Sequence, residues 1–256
     1  MNNKINIENE QEHPEMKNKV IHIRKQKSLK EKIRIQNFLC FLLIIIFVFS
    51  VPLFGQKNES LIKLARVKYS GGGDWYNDPT GEPNLLKFIA QNTNIHVNPV
   101  YEYVDLASDN LFLYPLLFLT GHGNVNFSAT EVKKLQAYLQ NGGFLYIDDD
   151  YGLDQYIRKE MKKVFPDQNF VELPFNHGIY SSHFKFPTGL PKIHEHDSKP
   201  PQGLGLFYNG RLCVFYTYES NLGDGWVDPD IYKDPPEKRE ASFKMATNIL
   251  VWAMTH

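Results

Sequence analysis

The chain has 256 residues, a formal net charge of −1 and 42% hydrophobic residues, which suits one large globular domain or two small ones. Its first 56 residues hold nine Lys/Arg and five Asp/Glu, leaving 19 basic and 24 acidic residues for the remainder. That acidic remainder argues against a nucleic-acid partner, which asks for a basic face. Its single cysteine, Cys213, leaves no internal disulfide to form there.

Residues 1–34 are polar and charged and read as a disordered cytoplasmic segment or n-region. The stretch 35–56 carries no charge, contains FLCFLLIIIFVFSVPLF and follows Lys25, Lys27, Lys30, Lys32 and Arg34. It reads as a hydrophobic helix, either a signal peptide or a transmembrane anchor, at the lower limit of the roughly 17–25 residues of a span. Gly55 suits a cleavage site, whereas Leu53 two positions earlier does not. In both cases the basic flank stays in the cytoplasm and the remainder is exported. The expected location is the cell envelope, with a periplasmic or extracytoplasmic domain. The inner membrane is its partner through 35–56 if that segment is uncleaved.

Residues 57–63 form a linker and 64–256 the globular domain. Leu64–Tyr69 alternates like a strand and is followed by a glycine-rich loop, Ser70–Asp74. A helix over Pro83–Asn92 and a second strand over His96–Tyr101 come next. Tyr114–Thr120 is a continuous apolar run suited to a strand buried on both faces. Ser128 and Glu131 form a capping box that opens a helix with Val132, Leu135 and Leu139 on one face. Asn141-Gly142-Gly143 stops it, and Phe144–Ile147 is the next strand. Strand, helix and strand in this spacing make a βαβ unit and a parallel sheet. Leu153–Phe165 reads as a helix and Phe170–Gln202 as irregular. Leu206–Tyr208 and Leu212–Tyr218 form a hairpin across Asn209-Gly210. A final helix covers Glu237–Thr255.

Five features carry polar chemistry. Asp148, Asp149 and Asp150 end a strand, where side chains face the crevice of an open α/β sheet. Alternation puts Asp148 and Asp150 on one side and Asp149 on the other, a pair suited to a divalent cation. The alternative is a turn in which these acids cap a helix and bind loop amides. His194-Glu195-His196-Asp197 offers two imidazoles and two carboxylates, plausible metal ligands without the helical spacing of a zincin. Gly72, Gly73, Asp74 and Trp75 follow the first strand, where glycines let backbone approach a ligand or turn sharply. His122, between two glycines, ends a central strand. Asp224 and Trp226 repeat the acid and indole mix of the first loop, as a glycan site or a surface turn would. No nucleophile stands out, and Ser128 is used in capping.

GGGDWY at 71–76, TGHG at 120–123, GGFLYIDDDYG at 142–152, GLPKIHEHD at 189–197, VFYTYE at 214–219 and LGDGW at 222–226 resemble the bacterial family called domain of unknown function 4159. The resemblance implies the class I glutamine amidotransferase-like fold, a flavodoxin-like three-layer α/β sandwich with a mainly parallel sheet. It also implies the loss of glutaminase chemistry, because acids stand where that fold carries its cysteine elbow.

Two readings follow. The first is a ligand- or partner-binding module of the envelope, binding an envelope protein or a glycan. The alternative is a metal-dependent hydrolase in which Asp148, Asp150, His194 and His196 hold the metal and Glu195 or Asp197 moves protons.

Overall fold

The computed structural model describes residues 14–50 and 61–256. Pro14–Ser50 is one 37-residue helix, α1. Residues 14–34, expected to be disordered, are helical. The cause is local: after Pro14 the segment has no Gly or Pro and is rich in Lys, Glu, Gln, Ile and Leu, and Pro at a first helical position loses no needed N–H. The hydrophobic helix expected over 35–56 is therefore not a separate element, and its last residues, 51–56, lie outside the described ones. Among the described residues no helix is long and apolar enough to cross a membrane.

Glu59–His256 forms a compact unit of its own. Its strands are β1 (Leu64–Lys68), β2 (Glu102–Asp105), β3 (Leu116–Leu119), β4 (Phe144–Asp148), β5 (Val171–Glu172), β6 (Gln202–Tyr208) and β7 (Arg211–Tyr218). They build one seven-stranded sheet in the order β2-β1-β3-β4-β7-β6-β5. The first five in that order are mutually parallel, and β6 and β5 extend the sheet antiparallel. The helices are α2 (Gly81–Asn92), α3 (Ala129–Gln140), α4 (Asp154–Val164) and α5 (Pro236–Thr255).

The strand period of two explains the layering. Ala65, Val67, Leu117, Leu119, Leu145 and Ile147 pack with Leu135 and Leu139 of α3 and Ile157 and Met161 of α4. Leu64, Leu116, Phe118, Phe144 and Tyr146 pack with Leu85 and Ile89 of α2 and Met245 and Ile249 of α5. Each fully buried aliphatic or Phe side chain contributes about 1.5–3 kcal/mol. The capping box of α3 is present, with the Ser128 hydroxyl accepting from Glu131 N and the Glu131 carboxylate accepting from Ser128 N.

The second strand lies at Glu102–Asp105, after the expected 96–101. Pro99 has no N–H to give a ladder, so only Val97 makes an isolated bridge, to Ile62, while Ala65 pairs with Glu102. The hairpin turns at Asn209 and Gly210, both at positive φ of 50° and 80°, the type I′ geometry for which Asn-Gly is favoured. β6 starts earlier than expected, at Gln202, because β7 offers it a full-length partner. The stretch before it, expected to be irregular, contains the short β5, and its remainder is pinned by Asn248 of α5. That side chain accepts from His183 N and Phe184 N and donates to Phe184 O.

Candidate functional site

Parallel strands bring their carboxyl ends to one edge, and there the loops after β1, β3, β4 and β7 meet. The loop after β1 is set by Arg66, fully buried in the middle of that strand. Its guanidinium makes a two-pronged ion pair with Glu82 of α2, and Nη1 donates to the carbonyls of Trp75 and Asn77. This fixes Asn77 and Asp78 over the crevice.

Glycines 71, 73 and 121 let this loop lie against the one after β3. A Cβ on Gly73 would stand 2.7 Å from the His122 carbonyl oxygen, and one on Gly121 would stand 2.3 Å from Tyr69 Oη. Asp74 then accepts from His122 N at 2.6 Å. His122 Nδ1 lies 3.0 Å from Asp74 Oδ2 and 3.2 Å from Asp150 Oδ2, so the imidazole links the two acids. Gly72 is exposed, and a Cβ there would meet nothing within 4 Å. The Trp75 ring packs edge-on against Tyr76 and Tyr103 and leans on the core; its surroundings are those of a loop anchor.

The three consecutive aspartates do different things. Asp148 accepts from Thr217 Oγ1 and, at 2.6 Å, from Gly223 N; burial pushes its carboxyl up to about 6. Asp149 points to the opposite side, accepting from Leu153 N at the start of α4 and from Tyr216 Oη. Burial pushes it up to about 7. Asp150 accepts from Asn77 Nδ2, and Asn221 Nδ2 donates to its backbone carbonyl. Burial first, and the neighbouring Asp224 second, raise its carboxyl well above the usual range.

Ligand oxygens of Asp78, Asp150 and Asp224 lie within 4.8 Å of one another. Burial and Asp224 also raise the Asp78 carboxyl, whose Oδ1 accepts from Tyr232 Oη at 3.0 Å. Among the described residues this is the group of acids that converges as metal ligands do. It keeps Asp150 of the expected set, omits Asp148, and adds Asp224 and Asp78.

The histidine-rich loop reaches the same place in another role. His194 Nδ1 lies 2.6 Å from Asp224 Oδ2 and its Nε2 3.0 Å from Asp234 Oδ1. The Asp224 bond raises the imidazole above its ordinary value, as expected for a histidine held between two carboxylates. His196 Nε2 lies 2.7 Å from Asn221 Nδ2, and its ring packs on Tyr151 at 4.7 Å. Glu195 and Asp197 are exposed and pair with Lys192 and Lys199. Trp226, read as a ligand contact, is a core residue packed on Phe118 and Tyr146. Cys213 is buried in β7, and burial pushes its thiol up to about 11.

The family described as domain of unknown function (DUF4159) matches residues 63–254. The chain belongs to that family. No curated protein matches it.

Within this DUF4159 domain, a cleft of about 280 Å³ opens beside the acid cluster, lined by Asp149, Asp150, Tyr151, His196, Tyr218 and Asn221 among others. Sequence reasoning missed Asn77, Asp78, Asn221 and Asp234. The first two sit in the Asn-Asp-Pro-Thr-Gly turn directly after the glycine loop, and Asn221 directly precedes the LGDGW segment. Proximity to those motifs was the available signal. Asp234, in a Pro-rich stretch, had none.

Proposed function

We propose that this DUF4159 domain is a non-glutaminase ligand-binding module of the cell envelope. It is exported through the uncharged 35–56 segment and takes a hydroxyl-rich glycan in the crevice at the carboxyl ends of the parallel strands. The carrying observation is the composition of the cleft. The exposed Tyr151 ring, packed against His196, offers an apolar face beside the carboxyl groups of Asp149 and Asp150, which line the same cleft. A sugar needs both, a flat surface for its C–H face and acceptors for its hydroxyls.

The order β2-β1-β3-β4-β7 of the parallel strands supports a flavodoxin-like, glutamine amidotransferase-like fold, whose ligands bind outside the strand carboxyl ends. The non-glutaminase reading is supported by Cys213, a buried mid-strand thiol with a raised pKa, the opposite of an activated nucleophile. The hydrolase alternative is less well supported. It asks His194 and His196 to hold a metal with Asp148 and Asp150, whereas those imidazoles are engaged by Asp224, Asp234 and Asn221.

Co-sedimentation of the full chain with purified peptidoglycan sacculi tests the reading. The chain should pellet with sacculi, and Tyr151→Ala, which removes an exposed ring, should weaken retention about three- to tenfold. A chain that stays in the supernatant, or a variant that pellets equally, refutes it.

A further inference from the structure

We propose that Arg158 and Lys162, one turn apart on α4, form a pocket that binds a small oxyanion group, a carboxylate or a phosphate carried by a ligand. The pocket measures about 100 Å³ and is lined by Arg158, Lys162, Gln168 and Asn169 with apolar neighbours; no Asp or Glu lines it. This site is separate from the Tyr151 cleft and does not depend on the glycan reading.

The Arg158 guanidinium is fixed before any ligand arrives. Its Nε donates to Asp154 Oδ1 at 2.7 Å, and that oxygen also accepts from Tyr216 Oη at 3.0 Å. The rings of Phe170, Tyr216 and Tyr218 stand 5.7, 5.7 and 5.9 Å from the guanidinium carbon, within cation–π range. The Phe170 and Tyr216 rings are 5.3 Å apart and those of Tyr216 and Tyr218 6.2 Å, so the three form a continuous wall. The side chain is nevertheless 39% exposed. A planar fork ordered in this way loses little further freedom when it binds.

The donors of this pocket are unspent. Asp154 takes the Nε–H, and among the described residues Arg158 Nη1 and Nη2 have no hydrogen-bond partner. The other arginines of the domain behave differently: Arg66, Arg211 and Arg239 each give Nη hydrogens to backbone carbonyls and so serve the fold. Lys162 Nζ donates to Gln168 O at 3.0 Å and to Asn169 Oδ1 at 3.1 Å, which leaves one of its three hydrogens. With Oδ1 turned to the ammonium, Asn169 Nδ2 has no partner among the described residues. Arg158, Lys162 and Asn169 thus present donors to one pocket, and the group that answers them carries several acceptor oxygens. A carboxylate or phosphate does so, and it matches the guanidinium fork bidentately.

Size and charge narrow the ligand. The pocket volume is about three times the roughly 30 Å³ that a water occupies in the liquid, room for one oxyanion group and not for a whole sugar ring. Asp154 balances Arg158, so Lys162 leaves the pocket one positive charge in excess. Like charges four residues apart on a helix repel, and an anion between Arg158 and Lys162 removes that repulsion. Neutral hydroxyls could accept from the same donors, but charge-assisted bonds are about twice as strong.

Thermal unfolding of the full chain in sodium phosphate, sodium acetate and sodium chloride of matched ionic strength tests the pocket. Phosphate, acetate or both should raise the melting temperature above its value in chloride. For a dissociation constant of about 5 mM the rise at about 100 mM anion is about 4–7 °C. Phosphate also stabilises proteins by exclusion from their surface, so the quantity read is the wild-type rise against that of each variant, not the melting temperature itself. Arg158→Gln should weaken binding about tenfold or more and so remove about two-thirds of the rise. Arg158→Lys, which keeps the charge and loses the fork, should weaken it about tenfold. Lys162→Gln should weaken it about three- to tenfold, whereas Lys87→Gln, on the surface of α2, should leave it unchanged. A rise with phosphate alone assigns a phosphate group; a rise with acetate assigns a carboxylate. No rise above chloride in the wild type overturns the site, as does a rise that Arg158→Gln leaves intact. Should Arg158→Gln fail to fold, Lys162→Gln decides in the same way.

Discussion

Replacing Glu82 by Gln should be the most damaging isosteric change in the domain. Glu82 and Arg66 are fully buried, and the guanidinium is matched by both carboxylate oxygens. Its remaining N–H groups reach the Trp75 and Asn77 carbonyls, and the Phe118 and Tyr101 rings lie 5.5 and 5.9 Å from it. No other carboxylate among the described residues is paired with Arg66, so Glu82→Gln leaves a buried cation uncompensated. Breaking a buried pair in this way costs about 3–5 kcal/mol. For a domain of this size, about 2–4 °C is lost per kcal/mol, so the melting temperature should fall by about 6–20 °C. Guanidinium unfolding followed by tryptophan fluorescence measures it, since Trp226 is buried on the same ring cluster. The double variant Arg66→Met/Glu82→Leu should recover most of the loss, because an apolar pair of similar volume is often neutral. It should not restore the Asn77–Asp78 loop, which depends on the guanidinium donors. A Glu82→Gln loss below about 1 kcal/mol would refute the reasoning, because it would mean that Glu82 is already neutral in the fold.

Other outcomes follow from the same geometry. Gly73→Ala should cost about 1–3 kcal/mol in urea unfolding, because its Cβ meets two backbone carbonyls at 2.7 and 2.8 Å that cannot rotate away. Cys213 should resist Ellman's reagent at pH 8 until the domain unfolds, its thiol being buried and raised to about 11; fast labelling of native protein would contradict its placement. Asp149 titrates near 7 in the fold against about 3.9 when unfolded. A raised acid contributes stability below about pH 4 that is lost as pH rises through about 7. The chelator-treated chain should therefore be more stable at pH 5 than at pH 8. Asp149→Asn should flatten that slope by about 2.5 kcal/mol, measured as midpoint shifts in urea at the two pH values; an unchanged slope would assign it elsewhere.

Local patterns were enough for the elements that local physics determines. The capping box at Ser128, the Asn209-Gly210 turn, the apolar run that became β3 and the βαβ unit were legible because each depends on residues a few positions apart. The aspartates at the end of β4 were legible as a crevice feature for the same reason: a strand's carboxyl end can be read from its own sequence. Register was not. Whether 96–101 or 102–105 pairs with β1 depends on which segment can give N–H groups to a partner forty residues away, and Pro99 decides it only once that partner is in place. The cluster itself belongs to tertiary structure. Asp78, Asp150 and Asp224 come from loops after three different strands, and only a parallel sheet brings those loops to one edge. A buried Arg66 inside a strand pattern reads as a solvent-facing position until α2 supplies Glu82. The sequence by itself determined the helices of the 64–256 domain, the turn and the acidic strand end; the assembled sheet decided which acids face one another, since side chains distant in the chain converge only through packing.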